Sequence, residues 1–210
     1  MGAEMMGEGT LMLNMVNISQ VETGARVTKG TLTVMGEAMI SGTTMGLKVE
    51  GGSANVMGGK IEGTTVGAEV SGDGVLKVMG EAMIMVTGRN GTGLKVTGSG
   101  SATMMGGSIQ GSGGVGSYGV KVDTSGTVTL MNVEVSRFET GVYVKKGVFK
   151  MTEGSITGNG AGSYGVRVGD GDVKLSEVEI SKGVLLKIRV SYIFYGKVLQ
   201  YNIRTSNVVF

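Results

Sequence analysis

Four residue types are missing from this chain of 210 residues: cysteine, proline, histidine and tryptophan. Without cysteine there can be no disulfide framework, thiol nucleophile or cysteine-ligated zinc. Without histidine the chain lacks the commonest general base and the commonest metal ligand. Because aromatic residues make up only 5% of the chain, stacking platforms for nucleic acid are scarce. We therefore expect a protein that is not an enzyme and that has no catalytic residues, no cofactor and no metal.

Charge and hydropathy argue against two further classes. The formal net charge of +2 is too small to indicate a nucleic-acid partner. No apolar run approaches the roughly 20 residues that a membrane-spanning helix needs, so we expect no transmembrane segment. The start, MGAEMMGEGTLMLNMVNIS, carries Glu4 and Glu8 and no basic residue before its apolar stretch. That pattern is unlike a secretory signal peptide.

Glycine is abundant although proline is absent, with 41 glycines in the chain. Disordered low-complexity segments are usually rich in both residues and poor in apolar ones, whereas 40% of this chain is hydrophobic. Collagen is excluded because the glycines lack a three-residue period. The glycines are therefore predicted to lie at the turns of a regular fold. The missing proline suits interior strands, which need every backbone N–H.

The chain contains internal repeats. GLKVEGGSANVMGGKIEG opens at Gly46, and GLKVTGSGSATMMGGSIQG opens at Gly93. Units of about 22 residues, each opening at a glycine, cover most of the chain, and such a period is typical of a solenoid. The units begin at Gly24, Gly46, Gly67, Gly93, Gly119, Gly141 and Gly165, and a partial unit begins at Gly9.

Within each unit apolar and polar residues alternate with period two, which indicates strands. Three apolar positions recur in every unit, and each is predicted to form an inward column. The first column is Val27, Val49, Val70, Val96, Val122, Val144 and Val168. The second is Val34, Val56, Val78, Met104, Leu130, Met151 and Leu175. The third is Ile40, Ile61, Ile84, Ile109, Val135, Ile156 and Ile180.

Three short strands per unit predict an all-β fold, a single-stranded right-handed parallel β-helix of about eight coils. Stacking the coils about 4.8 Å apart pairs their backbones and makes one continuous core. The right-handed sense follows from the crossover rule for parallel strands. We expect the β-helix to cover residues 1–182. Residues 183–210 break the pattern and are predicted to be a divergent C-terminal tail, either a cap or an out-of-register terminus.

The aligned coils resemble the right-handed parallel β-helix passengers of autotransporters, which are surface proteins of Gram-negative, host-associated bacteria with a pectin-lyase-like fold. The resemblance is carried by ETGVYVKKGVFKMTEGSITGNGAGSYGV (139–166), by GLKVEGGSANVMGGKIEG and by VTLMNVEVS. It implies a cell-surface or secreted location and a role in adhesion, virulence or host-cell interaction. Two alternatives stay open: a carbohydrate-active β-helix enzyme, such as a polysaccharide lyase or hydrolase, and an inactive fragment of a larger autotransporter.

The candidate binding residues lie on the outer face. In the G-x-K-V strand the residue before the valine points outward if the valine points inward. At five of seven coils it is basic, and Glu69 and Tyr143 occupy the other two. This row is a candidate site for a polyanionic glycan or a host-cell surface protein, and the alternative is a solvated face that deters aggregation. The basic stripe is Arg26, Lys48, Lys95, Lys121 and Arg167.

Insertions after the last strand of a unit supply further candidates, because loops on one edge of a solenoid often bind ligands. The candidate loop-tip residues are Arg89, Asn90, Tyr118 and Tyr164. The acidic run GDGD at 169–172 with Glu177 and Glu179 offers oxygen ligands for calcium, but a polar turn is the preferred interpretation. Open ends of the β-helix are predicted to favour self-association.

Overall fold

A computed structural model describes residues 1–182 and the backbone of residues 184–188. In this part of the chain every regular element is a β-strand, so it contains no helix able to cross a membrane. The strands are β1 (Ala3–Met5), β2 (Thr10–Asn14), β3 (Asn17–Val27), β4 (Thr31–Met35), β5 (Met39–Val49), β6 (Ser53–Met57), β7 (Lys60–Gly63), β8 (Val66–Val70), β9 (Val75–Met79), β10 (Met83–Val86), β11 (Thr92–Gly98), β12 (Ser101–Met105), β13 (Ser108–Gln110), β14 (Tyr118–Phe138), β15 (Thr140–Gly158), β16 (Tyr164–Val168), β17 (Asp172–Ser176), β18 (Glu179–Ser181) and β19 (Val184–Ile188).

The strands stack into three parallel ladders that share one axis. The first ladder runs β1, β3, β5, β8, β11, β14, β15, β16, β19. The second runs β2, β4, β6, β9, β12, β14, β15, β17. The third runs β3, β5, β7, β10, β13, β14, β15, β18. A chain that visits the three ladders in turn about eight times is a parallel β-helix, so the predicted fold class is confirmed.

The predicted inward columns are the core of the β-helix. Val49, Val70 and Val96 occupy successive rungs of the first ladder and are fully buried. The valine and isoleucine columns of the other two ladders are stacked in the same way. Burial weakens at the last coil, where Val168 and Leu175 are only partly covered. The apolar alternation of the sequence therefore becomes one continuous core along the axis.

The corner after the second ladder has one backbone requirement in all eight coils. The residue there has a positive φ, a conformation that favours glycine. Glycine fills it in four coils and other residues fill it in the remaining four. This corner explains part of the glycine content. Its residues are Met15 (φ 51°), Gly36 (64°), Gly58 (101°), Gly80 (69°), Gly106 (79°), Asn132 (52°), Glu153 (58°) and Glu177 (57°).

Most methionines lie on the surface, although the second inward column includes Met104 and Met151. Of the sixteen methionines, only Met104 and Met151 are buried, each with 1% exposure. The others lie at least partly on the surface. Most inward positions of the three columns are occupied by valine, isoleucine and leucine, and most of the flexible thioethers lie outside.

The predicted C-terminal tail begins at residue 183. Val184–Ile188 continues the first ladder, with Val166 opposite Leu186 and Val168 opposite Ile188. Residue 183 and residues 189–210 lie outside the described residues, and so does the predicted role of the tail as a cap or an out-of-register terminus.

Candidate binding face

The first ladder brings the predicted basic stripe into a single outward column. Its inward neighbours are buried from Arg26 to Tyr143 and partly covered at the two ends. The period-two geometry of each strand therefore sends the residue between them to the surface. Glu4 extends the column by one rung at its N-terminal end. In order along the axis the column is Glu4, Arg26, Lys48, Glu69, Lys95, Lys121, Tyr143 and Arg167.

Carboxylates neutralise the N-terminal half of this column. The Arg26 guanidinium lies 2.5 Å from Glu50 and 3.3 Å from Glu4. Lys48 Nζ lies 2.8 Å from the other oxygen of Glu50. The hydrogen bond from Lys48, with that from Arg26, lowers the pKa of Glu50, and the hydrogen bond to Glu50 raises the pKa of Arg26. Glu50 thus bridges two rungs of the column.

Lys95 is compensated in the same way, because its Nζ lies 3.3 Å from the Glu69 carboxylate on the adjacent rung. Three of the five residues in the predicted stripe therefore have ion-pair partners. Sequence reasoning missed Glu50, although its signal was available. A residue two positions after Lys48 on an extended strand lies on the same face.

Tyrosine rings replace carboxylates in the C-terminal half. Lys121 Nζ lies 5.0 Å from the centre of the Tyr118 ring. The Arg167 guanidinium lies 5.4 Å from the Tyr143 ring and 5.8 Å from the Tyr164 ring. The rings of Tyr118 and Tyr143 pack with centroids 5.8 Å apart. We call these five residues the tyrosine–cation cluster.

The two cations of the cluster differ from those of the N-terminal half. Within the described part of the chain neither Lys121 nor Arg167 has a carboxylate at ion-pair distance. A cation over a ring keeps its charge and its free N–H donors. The cluster therefore presents uncompensated positive charge beside aromatic surface.

Buried serines fix the loops that place two of these tyrosines. Ser117 and Ser163 are each 1% exposed and precede Tyr118 and Tyr164. The Ser117 hydroxyl donates to the Gly114 carbonyl at 2.6 Å, and Ser163 donates to the Gly160 carbonyl at 2.6 Å. Both loops end in the same Gly-Ser-Tyr-Gly sequence. This repeated sequence is therefore the feature from which sequence reasoning could have predicted that Tyr118 and Tyr164 lie on the same outer face.

Of the four predicted loop-tip residues, two lie on strands and two lie in an exposed loop. Tyr118 and Tyr164 are not free tips, since they are the half-buried first residues of β14 and β16. Thr140 lies between them on the ladder. Arg89 and Asn90 are exposed in the loop between β10 and β11. The contacts of the cluster do not include these two residues.

A shallow groove of about 440 Å³ follows the outer face of the third ladder. Arg137 and Lys182 contribute cations to it, and Glu134 is the carboxylate in its lining. Hydrolysis of a glycosidic bond by the common mechanism needs a pair of carboxylates, and this groove supplies one. The acidic run that could bind calcium does not form a cluster. Within the described residues no group of three or more acidic side chains comes together as a metal site, and Asp170, Asp172 and Glu177 are exposed.

Comparison with protein-family models, curated proteins and solved structures finds no match to this chain. The β-helix itself is established by the three ladders and their register. A functional assignment therefore depends on the sequence resemblance and on the geometry of the outer face.

Proposed function

We propose that this chain is a non-enzymatic segment of a surface-exposed β-helix passenger and that it binds a polyanionic glycan of the host cell. The resemblance of its coils to autotransporter passengers supports the location, at the cell surface or secreted. The observation that carries the binding proposal is the tyrosine–cation cluster. In it Lys121 and Arg167 lie over tyrosine rings, and no carboxylate of residues 1–182 pairs with either of them.

The chemistry of the cluster suits a sulfated or carboxylated sugar polymer. Lys121 and Arg167 stand two rungs apart, about 10 Å along the axis, with Tyr143 between them. Guanidinium and ammonium groups donate charge-assisted hydrogen bonds to anionic oxygens. Tyrosine offers an apolar ring and a polar hydroxyl on the same side chain. An extended polyanion lying along the axis can contact both cations and the ring between them.

Heparin-affinity chromatography tests the proposal with a matched pair of double variants. Lys121→Ser with Arg167→Ser and Lys48→Ser with Lys95→Ser remove the same formal charge. We expect the first variant to elute at clearly lower salt and the second to elute near the parent chain, because its two cations are already paired with Glu50 and Glu69. Equal loss in both variants would indicate binding by net charge alone and would contradict a local site.

Binding to host cells separates the glycan from a protein partner. Enzymatic removal of sulfated glycans from the cells should abolish binding of the parent chain. Binding that persists would assign the face to a host-cell surface protein instead. The location is tested on intact bacteria, where an externally added protease should degrade the chain if it is displayed at the surface.

A further inference from the structure

A second surface stands out on a different part of the β-helix. At the last position of the second ladder, methionines face outward on five consecutive rungs, and each is the register partner of the next. We call this row the methionine ladder. Asn14 precedes it and Thr152 follows it. Its members are Met35, Met57, Met79, Met105 and Met131.

Three of the five methionines of this ladder are exposed, and Met35 and Met79 are half-buried. Met57, Met105 and Met131 are 41%, 41% and 45% exposed. Each methionine precedes the positive-φ corner, and in four of the five coils the corner residue is glycine. A Cβ added at Gly80 would meet no atom within 4 Å. The corner glycine next to Met79 therefore leaves open space beside that methionine.

Thioether sulfur is the soft ligand that this chain offers. Cysteine and histidine are absent, which removes the usual ligands of transition metals but leaves the donor that selects monovalent copper. Successive rungs are about 4.8 Å apart, and methionine has three rotatable side-chain bonds. Sulfurs from neighbouring rungs can therefore turn toward one ion without any backbone movement.

Two carboxylates near the ladder favour a cation. Glu37 and Glu81 are exposed and follow the corner glycines of two alternate coils. Met39 and Met83 begin the next strands of the same two coils and add thioethers on the far side of the corner. Two lysines lie nearby. Lys60 stands between Met39 and Met83 on the third ladder and is paired with Glu62, and the exposed Lys77 lies two residues before Met79 on the outward face of β9.

We propose that the methionine ladder binds a soft monovalent cation, Cu(I) or its analogue Ag(I), through thioether sulfurs of successive rungs. The ladder binds on the order of one or two ions per chain, since each ion takes two or more thioethers. This site lies on the second ladder and does not depend on the glycan proposal. The double variant Lys121→Ser with Arg167→Ser should keep it intact.

The test is a titration with silver nitrate in chloride-free buffer by calorimetry, repeated for Cu(I) against a chromophoric Cu(I) chelator. The first variant combines Met57→Leu, Met79→Leu and Met105→Leu. Leucine keeps the apolar volume and removes the sulfur. The control combines Met6→Leu, Met45→Leu and Met85→Leu, which removes three sulfurs at positions outside the ladder. Circular dichroism verifies that both variants fold.

We expect the ladder variant to bind Ag(I) and Cu(I) at least tenfold more weakly than the parent chain, and the control to bind as the parent does. The affinity should be the same at pH 5 and pH 7.5, because a thioether carries no proton to lose. Equal loss in both variants or no binding by the parent chain would overturn the proposal. So would an affinity that falls at pH 5 and disappears in Glu37→Gln with Glu81→Gln, since the carboxylates would then hold the ion.

Discussion

Gly107 lies so close to Ala82 of the preceding coil that a Cβ on Gly107 would stand 2.1 Å from the Ala82 carbonyl oxygen. Gly59 has the same relationship to Ala38, at 2.3 Å. Coils with Glu-Ala at this corner therefore alternate with coils that have a second glycine there. This contact gives a physical reason for the resemblance between the stretches that open at Gly46 and Gly93, which lie two coils apart.

A pair of glycine substitutions separates backbone conformation from steric contact. Gly80 and Gly107 both have positive φ, 69° and 78°, but a Cβ on Gly80 meets no atom within 4 Å. We expect Gly80→Ala to cost about 1 kcal/mol of unfolding free energy, from conformation alone. Gly107→Ala should cost at least about 3 kcal/mol, because the contact with Ala82 is added. Urea denaturation measures both, and equal costs would show that the corner relaxes.

The same corner predicts a stabilising substitution. Glu153 has a φ of 58°, and the next residue is Gly154. Glu153→Gly recreates the pair of glycines at 58–59 and 106–107. Relief of about 1–2 kcal/mol of left-handed strain should exceed the extra entropy of an unfolded glycine, about 0.5–1 kcal/mol. We expect a higher midpoint in urea. An unchanged or lower midpoint would mean that Glu153 is not strained in solution.

The sequence predicts the fold well because the fold follows from two regular patterns in the sequence, the period-two alternation and the repeat of about 22 residues. Alternation fixes which residues point inward, and the repeat fixes which lie on the same column, so Val49 and Val96 could be placed without coordinates. The partners of outward residues are harder to predict. Glu50 bridges Arg26 and Lys48, and that choice depends on side-chain reach between coils. The sequence likewise predicts the tyrosine–cation cluster only as separate parts, the basic stripe and the loop-tip residues.

Met104 and Met105 offer a direct test of the inward and outward assignment. They are consecutive residues of one type, but Met104 is 1% exposed and Met105 is 41% exposed. Met104→Ala should lose about 2–5 kcal/mol of unfolding free energy through the cavity that it leaves. Met105→Ala should change it by less than about 0.5 kcal/mol. Similar losses for the two variants would contradict the register of β12.

The ion pairs of Glu50 predict an acid-sensitive contribution to stability. Lys48, with Arg26, lowers the pKa of Glu50 below its ordinary value of 4.5. A carboxyl whose pKa is lower in the folded state contributes stability above its unfolded pKa and loses it as the pH falls through the folded one. Glu50→Gln should therefore lower the melting temperature at pH 7, and the difference should shrink near pH 3.

Glu37→Gln is the control for Glu50, because it removes the same charge from an exposed corner. Thermal melts of the parent chain and both variants at pH 7, 5 and 3 compare the two positions. We expect little effect from Glu37→Gln at any of these pH values. A Glu50→Gln deficit that stays constant down to pH 3 would assign the effect to packing and not to charge.

Arg167 and Tyr143 are expected to make different contributions to heparin binding. Arg167 contributes charge, so Arg167→Ser should reduce the slope of log affinity for heparin against log salt concentration by about one unit. Tyr143, whose ring lies 5.4 Å from that guanidinium, contributes contact area and orientation. Tyr143→Leu should weaken heparin binding at every salt concentration and leave the slope unchanged. If Tyr143→Leu has no effect, the ring is a support for strand packing, and the glycan contacts cations alone.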